Sequence, residues 1–264
     1  MTTRYAVRSA APVAALLLVA GCATTQGSPE GSDADPQPTH ERTLTVFAAA
    51  SLQPSFEEIG EVFEDSHPGV TVRFSFGGSS GLVAQLSEGA PADVLATANE
   101  PTMAKAVADS LVEGDPKPFV SNTLQIVVPA DNPARVASLA DLTRPGTKVV
   151  LCAPAVPCGA ASAAVEEAAG IDLTPVSEEQ SVTDVLGKVR SGEADAGLVY
   201  VTDVIGAGAD VTGIDLPEAA AALNRYPIAT LREAADAPLA DEFVGVVTSS
   251  AGLEILADAG FQPP

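Results

Sequence analysis

The stretch that most restricts what this chain can fold into is Thr43 to Ser51, TLTVFAAAS, which runs directly into LQPSFEEIGEVFEDSH. From Thr43 to Ala49 apolar residues first alternate and then run unbroken, the pattern of a strand buried in a parallel sheet. Leu52, Phe56, Ile59 and Phe63 follow at helical spacing, so a helix begins at once. Ser51 falls at the junction, Pro54 suits the first turn, and Glu57 and Glu58 sit near the positive end of the helix dipole. A strand that empties into a helix through small residues leaves backbone N–H groups facing outward, and that geometry binds anions. Taken alone, Ser51 reads as a helix N-cap. What shifts that reading is the recurrence of the same device along the chain.

Val70 to Phe76 (VTVRFSF) alternates at period two and reads as a second strand. FGGSSG follows, then Leu82, Val83, Leu86 and a stop at Gly89, with Ser79 and Ser80 at the helix start. Ala92 to Ala98 is a third short strand, and Asn99 caps a helix running through Leu111 with Pro101 near its first position. Phe119 to Pro129 is long enough to cross between two lobes. A short helix at Leu139 to Leu142 leads to a buried strand from Thr147 to Ala153. Cys158-Gly159 then opens an Ala-rich helix, and Ser181 caps another whose Val182, Val185, Leu186 and Val189 share one face. Ala196 to Val201 is a strand, Arg225 to Leu231 reads as a second crossing strand, and Leu239 to Phe261 supplies C-terminal helices. Strands alternating with helices predict parallel α/β sheets.

The N-terminus reads as an export signal: Arg4 and Arg8, then an apolar run from Ala10 to Ala20 too short to span a bilayer. Val19-Ala20-Gly21-Cys22 resembles a bacterial lipobox, in which Cys22 is acylated and begins the mature chain. Residues 22–42 lack large apolar side chains and read as a flexible tether. The formal charge of −22 deepens when Arg4 and Arg8 are removed, and it argues against a basic nucleic-acid or anionic-membrane surface. An anionic ligand remains possible if local dipoles in a desolvated pocket hold it. Cys152 and Cys158, an even pair in an exported chain, suggest a disulfide, or else two reduced small residues in an Ala-rich core.

Ser51, Ser79, Cys158 and Val182 each stand at a helix start beyond a strand, where open α/β sheets hold their ligands. Several such N-termini aimed at one point form a cage of N–H and O–H donors, suited to an oxyanion without any Arg or Lys. His40 lies in the tether and His67 reads as a solvated residue at a helix end, so neither pairs with a serine or builds a metal cluster. Asp93 and Asp203 read as hydrogen-bonding loop or hinge residues, and Tyr200, ending a strand, as either a core aromatic or a site residue.

TVFAAASL, FGGSSG followed by EGAPADV, the VPCG turn, and GLVY followed by TD together resemble the periplasmic molybdate-binding proteins of molybdate ABC transporters, in order from about Thr43 to Phe261. The resemblance implies a type II periplasmic-binding-protein fold, two α/β lobes joined by two crossing strands with the ligand between them. Lobe 1 would comprise residues 43–120 and 228–264, and lobe 2 residues 121–227, behind a signal peptide at 1–21. It implies contacts from Ser51 and Ser79 through hydroxyl and amide, from the amides of Cys158 and Val182, and from the phenol of Tyr200. Many such proteins carry Ala in place of Cys158 and Ser in place of Gly78. The implied function is capture of molybdate, and tungstate, for an ABC permease by a monomeric lipoprotein without a cofactor, an enzymatic activity or a ligating metal side chain. A binding protein for sulfate or another tetrahedral oxyanion is the alternative of the same kind. A serine hydrolase using Ser51 or Ser79 is the alternative of another kind, and it lacks a base.

Overall fold

The computed structural model describes residues 41–264, so Cys22, His40 and the expected export signal lie outside the described residues. The chain runs β1 (Arg42–Ala49), a 3-10 turn (Ala50–Leu52), α1 (Gln53–Ser66), β2 (Val70–Gly77), α2 (Ser79–Ser87), β3 (Val94–Ala96), α3 (Glu100–Ala108) and β4 (Lys117–Asn122). It continues through β5 (Leu124–Pro129), a 3-10 turn (Leu139–Thr143), β6 (Val149–Cys152), α4 (Pro157–Ala169), β7 (Ser177–Glu179), α5 (Val182–Arg190), β8 (Ala196–Tyr200) and α6 (Val201–Ala207). It closes with β9 (Val211–Ile214), a 3-10 segment (Pro217–Ala222), β10 (Asn224–Thr230), α7 (Ala237–Val247) and α8 (Ser250–Asp258).

Two five-stranded sheets result, ordered β2-β1-β3-β10-β4 and β7-β6-β8-β5-β9. The expectation of parallel sheets is corrected here, because both are mixed. β1 pairs in parallel with β2 and β3, and β6 in parallel with β7 and β8. β10 runs antiparallel to β3 and β4, and β5 antiparallel to β8 and β9. The parallel strands are linked within one sheet by helical crossovers, whereas β5 and β10 enter their sheets from the other lobe and arrive with the opposite sense. The stretch from Phe119 to Pro129 changes sheet at Thr123, where β4 ends and β5 begins. The return falls between β9 and β10, so β10 lies wholly in the first sheet. The first sheet begins at Arg42, one residue before the expected start of lobe 1 at residue 43, and Arg42 pairs with Asp236.

Each sheet carries its own core. The first is packed on one face by Phe56, Ile59 and Phe63 of α1 with Phe243 and Val247 of α7, and on the other by Leu82, Val83 and Leu86 of α2 with Met103. The second gathers Val165, Val185, Val189 and Leu198 around Ile126 and Val150. Asp93 is a structural tie: its buried carboxylate accepts the N–H groups of Thr45 and Ala235, both at 2.7 Å. His67 ends α1 as expected but is not simply solvated. Its ring stacks on Phe63 at 3.9 Å and reaches Glu242 at 3.0 Å.

Candidate functional site

Ser51, Ser79, Cys158, Val182 and Tyr200 all line one cavity between the two sheets. Ser51 lies in the 3-10 turn after β1, and Ser79 opens α2 after β2. Cys158 and Val182 lie in the first turns of α4 and α5, and Tyr200 ends β8. The strand that sets each junction delivers it to the carboxyl end of its sheet, and the two sheets present those ends to each other. The N–H groups of Ser51, Ser79, Cys158 and Val182 fall in first turns, where no intrahelical acceptor exists. None of the four donates to a loop carbonyl or a side chain among the described residues. The N-cap reading of Ser51 does not hold: the helix is capped at Leu52, without a side-chain cap bond. The first turn of α1 also holds no acid, since Glu57 and Glu58 come one turn later.

The cavity is small, about 220 Å³ of empty space at its mouth and interior together, the scale of a small ion. No residue lining it is charged; the rest of its wall is Ala, Gly and Pro. Ser51, Ser79 and Tyr200 are each at most 5% exposed. All three hydroxyls have a partner inside the protein. The N–H of Ala98 donates to Ser79 Oγ (3.0 Å), Asn224 Nδ2 donates to Tyr200 Oη (3.0 Å), and Ser51 Oγ bonds Tyr226 Oη (2.9 Å). Burial pushes the Tyr200 phenol well up, so it stays a neutral donor.

The lobes touch around this cavity. Ser80 Oγ donates to the carbonyl of Ala155 at 2.6 Å, from α2 to the loop before α4. Gly78 sits so close to the carbonyl of Gln180 that an added Cβ would lie 2.0 Å from its oxygen. On the opposite side of the cavity Asn122 and Asn224, partners on β4 and β10, both reach into the second lobe, Asn122 to Thr202 Oγ1 at 2.9 Å. Cys152 and Cys158 are joined by a disulfide across the loop that presents the Cys158 amide. Gly159 permits that loop's packing, since a Cβ there would lie 1.9 Å from the carbonyl oxygen of Ala153.

Asp203, in the first turn of α6, accepts the N–H of Tyr200 at 2.9 Å. Burial raises its carboxyl to about 7, opposed by that one hydrogen bond. Asn224, Tyr226, Asn122 and Ala98 were not legible as site-supporting residues, because nothing in their local sequence marks them. Only strand pairing brings them to the site.

The comparisons with known proteins agree with this architecture. Residues 44–262 match the family model described as bacterial extracellular solute-binding protein. The chain is 49% identical over 252 residues, covering 96% of both chains, to the molybdate-binding protein ModA of Mycobacterium tuberculosis. Among solved structures it superposes on the periplasmic molybdate-binding protein of Azotobacter vinelandii with a TM-score of 0.73 at 22% identity, covering 84% of this chain and 99% of that one. It superposes on the sulfate-binding protein SubI of Mycobacterium tuberculosis with a TM-score of 0.72 at 21% identity, covering 84% and 87%. At those identities the two structures speak to the fold alone. The family model spans nearly all of the described chain and the mycobacterial relative nearly all of its length, and the chain therefore belongs to the bacterial extracellular solute-binding proteins.

Proposed function

We propose that this chain captures molybdate, and tungstate with it, outside the cytoplasm and delivers it to the permease of an ABC transporter. One observation carries the reading: the wall of a cavity sized for a small ion is contributed by both lobes and offers N–H and O–H donors but no charged side chain. A fully deprotonated tetrahedral oxyanion has only acceptors and matches such a wall. The 49% identity to a molybdate-binding protein favours molybdate among such anions. With a formal charge of −22 the protein's long-range field opposes an anion, so the local dipoles of helix N-termini do the holding.

In this reading Ser51 and Ser79 bind by hydroxyl and amide from the first lobe. The amides of Cys158 and Val182 and the phenol of Tyr200 bind from the second. Closure of the lobes traps the ion, and reopening at the permease releases it. Neither a cofactor nor a catalytic step is needed. Cys22 carries the lipid that holds a monomeric protein at the membrane, with residues 22–42 as the tether.

Calorimetric titration with molybdate, tungstate, sulfate and phosphate tests the ligand. A hydrogen bond to a charged acceptor contributes roughly 1.5–3 kcal/mol, so Ser51→Ala, Ser79→Ala and Tyr200→Phe should each weaken molybdate binding by about tenfold to more than a hundredfold. Because no positive side chain takes part and salt screens the repulsion between the acidic protein and the anion, affinity should change only modestly, and upward, as salt rises to physiological levels. Molybdate binding indifferent to all three substitutions would place the ligand elsewhere. Sulfate binding tighter than molybdate binding would move the chain to the sulfate reading.

A further inference from the structure

A hydroxyl in a donor-only cage helps an anion only when its single proton points at the ligand, and a free rotor does not ensure that. The rotor is fixed if the oxygen's acceptor side is already occupied by a donor that has no other use. β10 supplies such donors to both lobes. Asn224 and Tyr226 are two residues apart on this strand, so they face the same side of the sheet. Asn224 Nδ2 donates to Tyr200 Oη of the second lobe at 3.0 Å and to the carbonyl of Ala98 at 2.7 Å. An amide nitrogen has two protons and accepts nothing, so Tyr200 Oη must accept in this bond and its own proton is not used in it. The N–H of the same residue, Ala98, donates to Ser79 Oγ at 3.0 Å. Tyr226 Oη meets Ser51 Oγ of the first lobe at 2.9 Å. Either oxygen can donate in that pair, and with the phenol as donor the Ser51 proton is free for the cavity. All of these atoms belong to buried residues, so water does not compete for them.

We propose that Asn224 and Tyr226 are positioning residues: from one strand they orient the hydroxyl protons of Tyr200 and Ser51, on opposite lobes, into the cavity. This rests on the oxyanion reading and deepens it. Tyr200 and Ser51 touch the ligand; Asn224 and Tyr226 act only through them.

The test is a pair of double-mutant cycles read by calorimetric titration with molybdate, Asn224→Ala with Tyr200→Phe and Tyr226→Phe with Ser51→Ala. Asn224→Ala and Tyr226→Phe should each weaken binding by about fivefold to tenfold in the wild-type background, the size of one neutral hydrogen bond's loss. Each loss should shrink at least threefold once its hydroxyl partner is gone. A purely structural role would give the same loss in both backgrounds and overturn the proposal. Tyr226→Phe keeps the shape of the ring, so it tests the idea even if Asn224→Ala folds poorly.

A spectroscopic readout separates orientation from packing. The chain has no Trp, and its tyrosines are Tyr5, Tyr200 and Tyr226. In Tyr226→Phe protein the change in near-ultraviolet tyrosine absorption on adding molybdate therefore reports Tyr200. A red shift at saturation is expected when the phenol donates to the anion, and it should diminish when Asn224→Ala is added. An undiminished shift would overturn the role of Asn224. Failure of wild type to bind molybdate, tungstate, sulfate or phosphate would instead remove the oxyanion reading along with the inference, and full affinity in Tyr200→Phe would take Tyr200 off the ligand and overturn the inference. A large loss in Tyr200→Phe combined with additive cycles removes the inference alone.

Discussion

Gly78→Ala is the substitution whose effect the geometry defines best. Gly78 precedes α2 with φ −63° and ψ 127°, a conformation that alanine adopts freely, so the change costs the first lobe nothing locally. The obstacle is across the cleft, where the new Cβ would lie 2.0 Å from the carbonyl oxygen of Gln180, a backbone atom that cannot swing aside. Contacts of this kind are essentially never shorter than 3.0 Å, so the lobes must part by about 1 Å at this point. The 2.6 Å bond from Ser80 to Ala155 stretches beyond hydrogen-bonding range. Under the proposed function, Cys158, Val182 and Tyr200 then withdraw from an ion held by Ser51 and Ser79. Loss of even one bond to a charged acceptor costs roughly 1.5–3 kcal/mol, so molybdate affinity should drop by about tenfold to more than a hundredfold. The drop should appear mainly as faster dissociation. The unliganded melting temperature should stay within about a degree of wild type, while the rise on adding molybdate shrinks. Calorimetric titration and thermal melts with and without molybdate measure both quantities. If Gly78→Ala binds molybdate within twofold of wild type, the close approach of the lobes seen here is not the state that holds the ion.

Thiol titration of denatured, unreduced protein should find no free thiol from Cys152 or Cys158. Cys158→Ala should lower stability by at most about 2 kcal/mol yet keep molybdate affinity, since the proposed contact is a backbone amide. Asp203 holds its proton in the folded protein up to about pH 7, whereas the unfolded chain releases it near pH 3.8. Stability from this group is therefore full at low pH and lost as pH rises through that window. Asp203→Asn, which keeps an acceptor for the Tyr200 N–H, should flatten that decline in denaturation curves taken from pH 4 to pH 7. Cys22→Ser should release the protein from membranes, as fractionation and mass spectrometry of the N-terminus would show; wild-type protein with a free thiol at Cys22 would refute the anchor.

The elements of this fold were readable because their signals are local. Thr43 to Ala49 has the saturation of a buried strand, Leu52 to Phe63 the period of a helix, and Asn99 and Ser181 the chemistry of caps, each now seen accepting a first-turn N–H. The five candidate residues were legible for the same reason, since each stands at a strand-to-helix junction or at the end of a strand. What local pattern could not supply is direction and distance along the chain. An apolar run such as β10 looks the same whichever way it threads a sheet, so the antiparallel sense of β5 and β10 stayed hidden. The short β7 and β9 lack the length to carry a period, and α6 starts straight from the end of β8. The contacts of the Tyr200 hydroxyl with Asn224, 24 residues on, and of the Ser51 hydroxyl with Tyr226, 175 residues on, lie beyond any local window. Local sequence sets which residues can donate. Only the packing of one lobe against the other, through strand pairings that no short window contains, decides where those donors point.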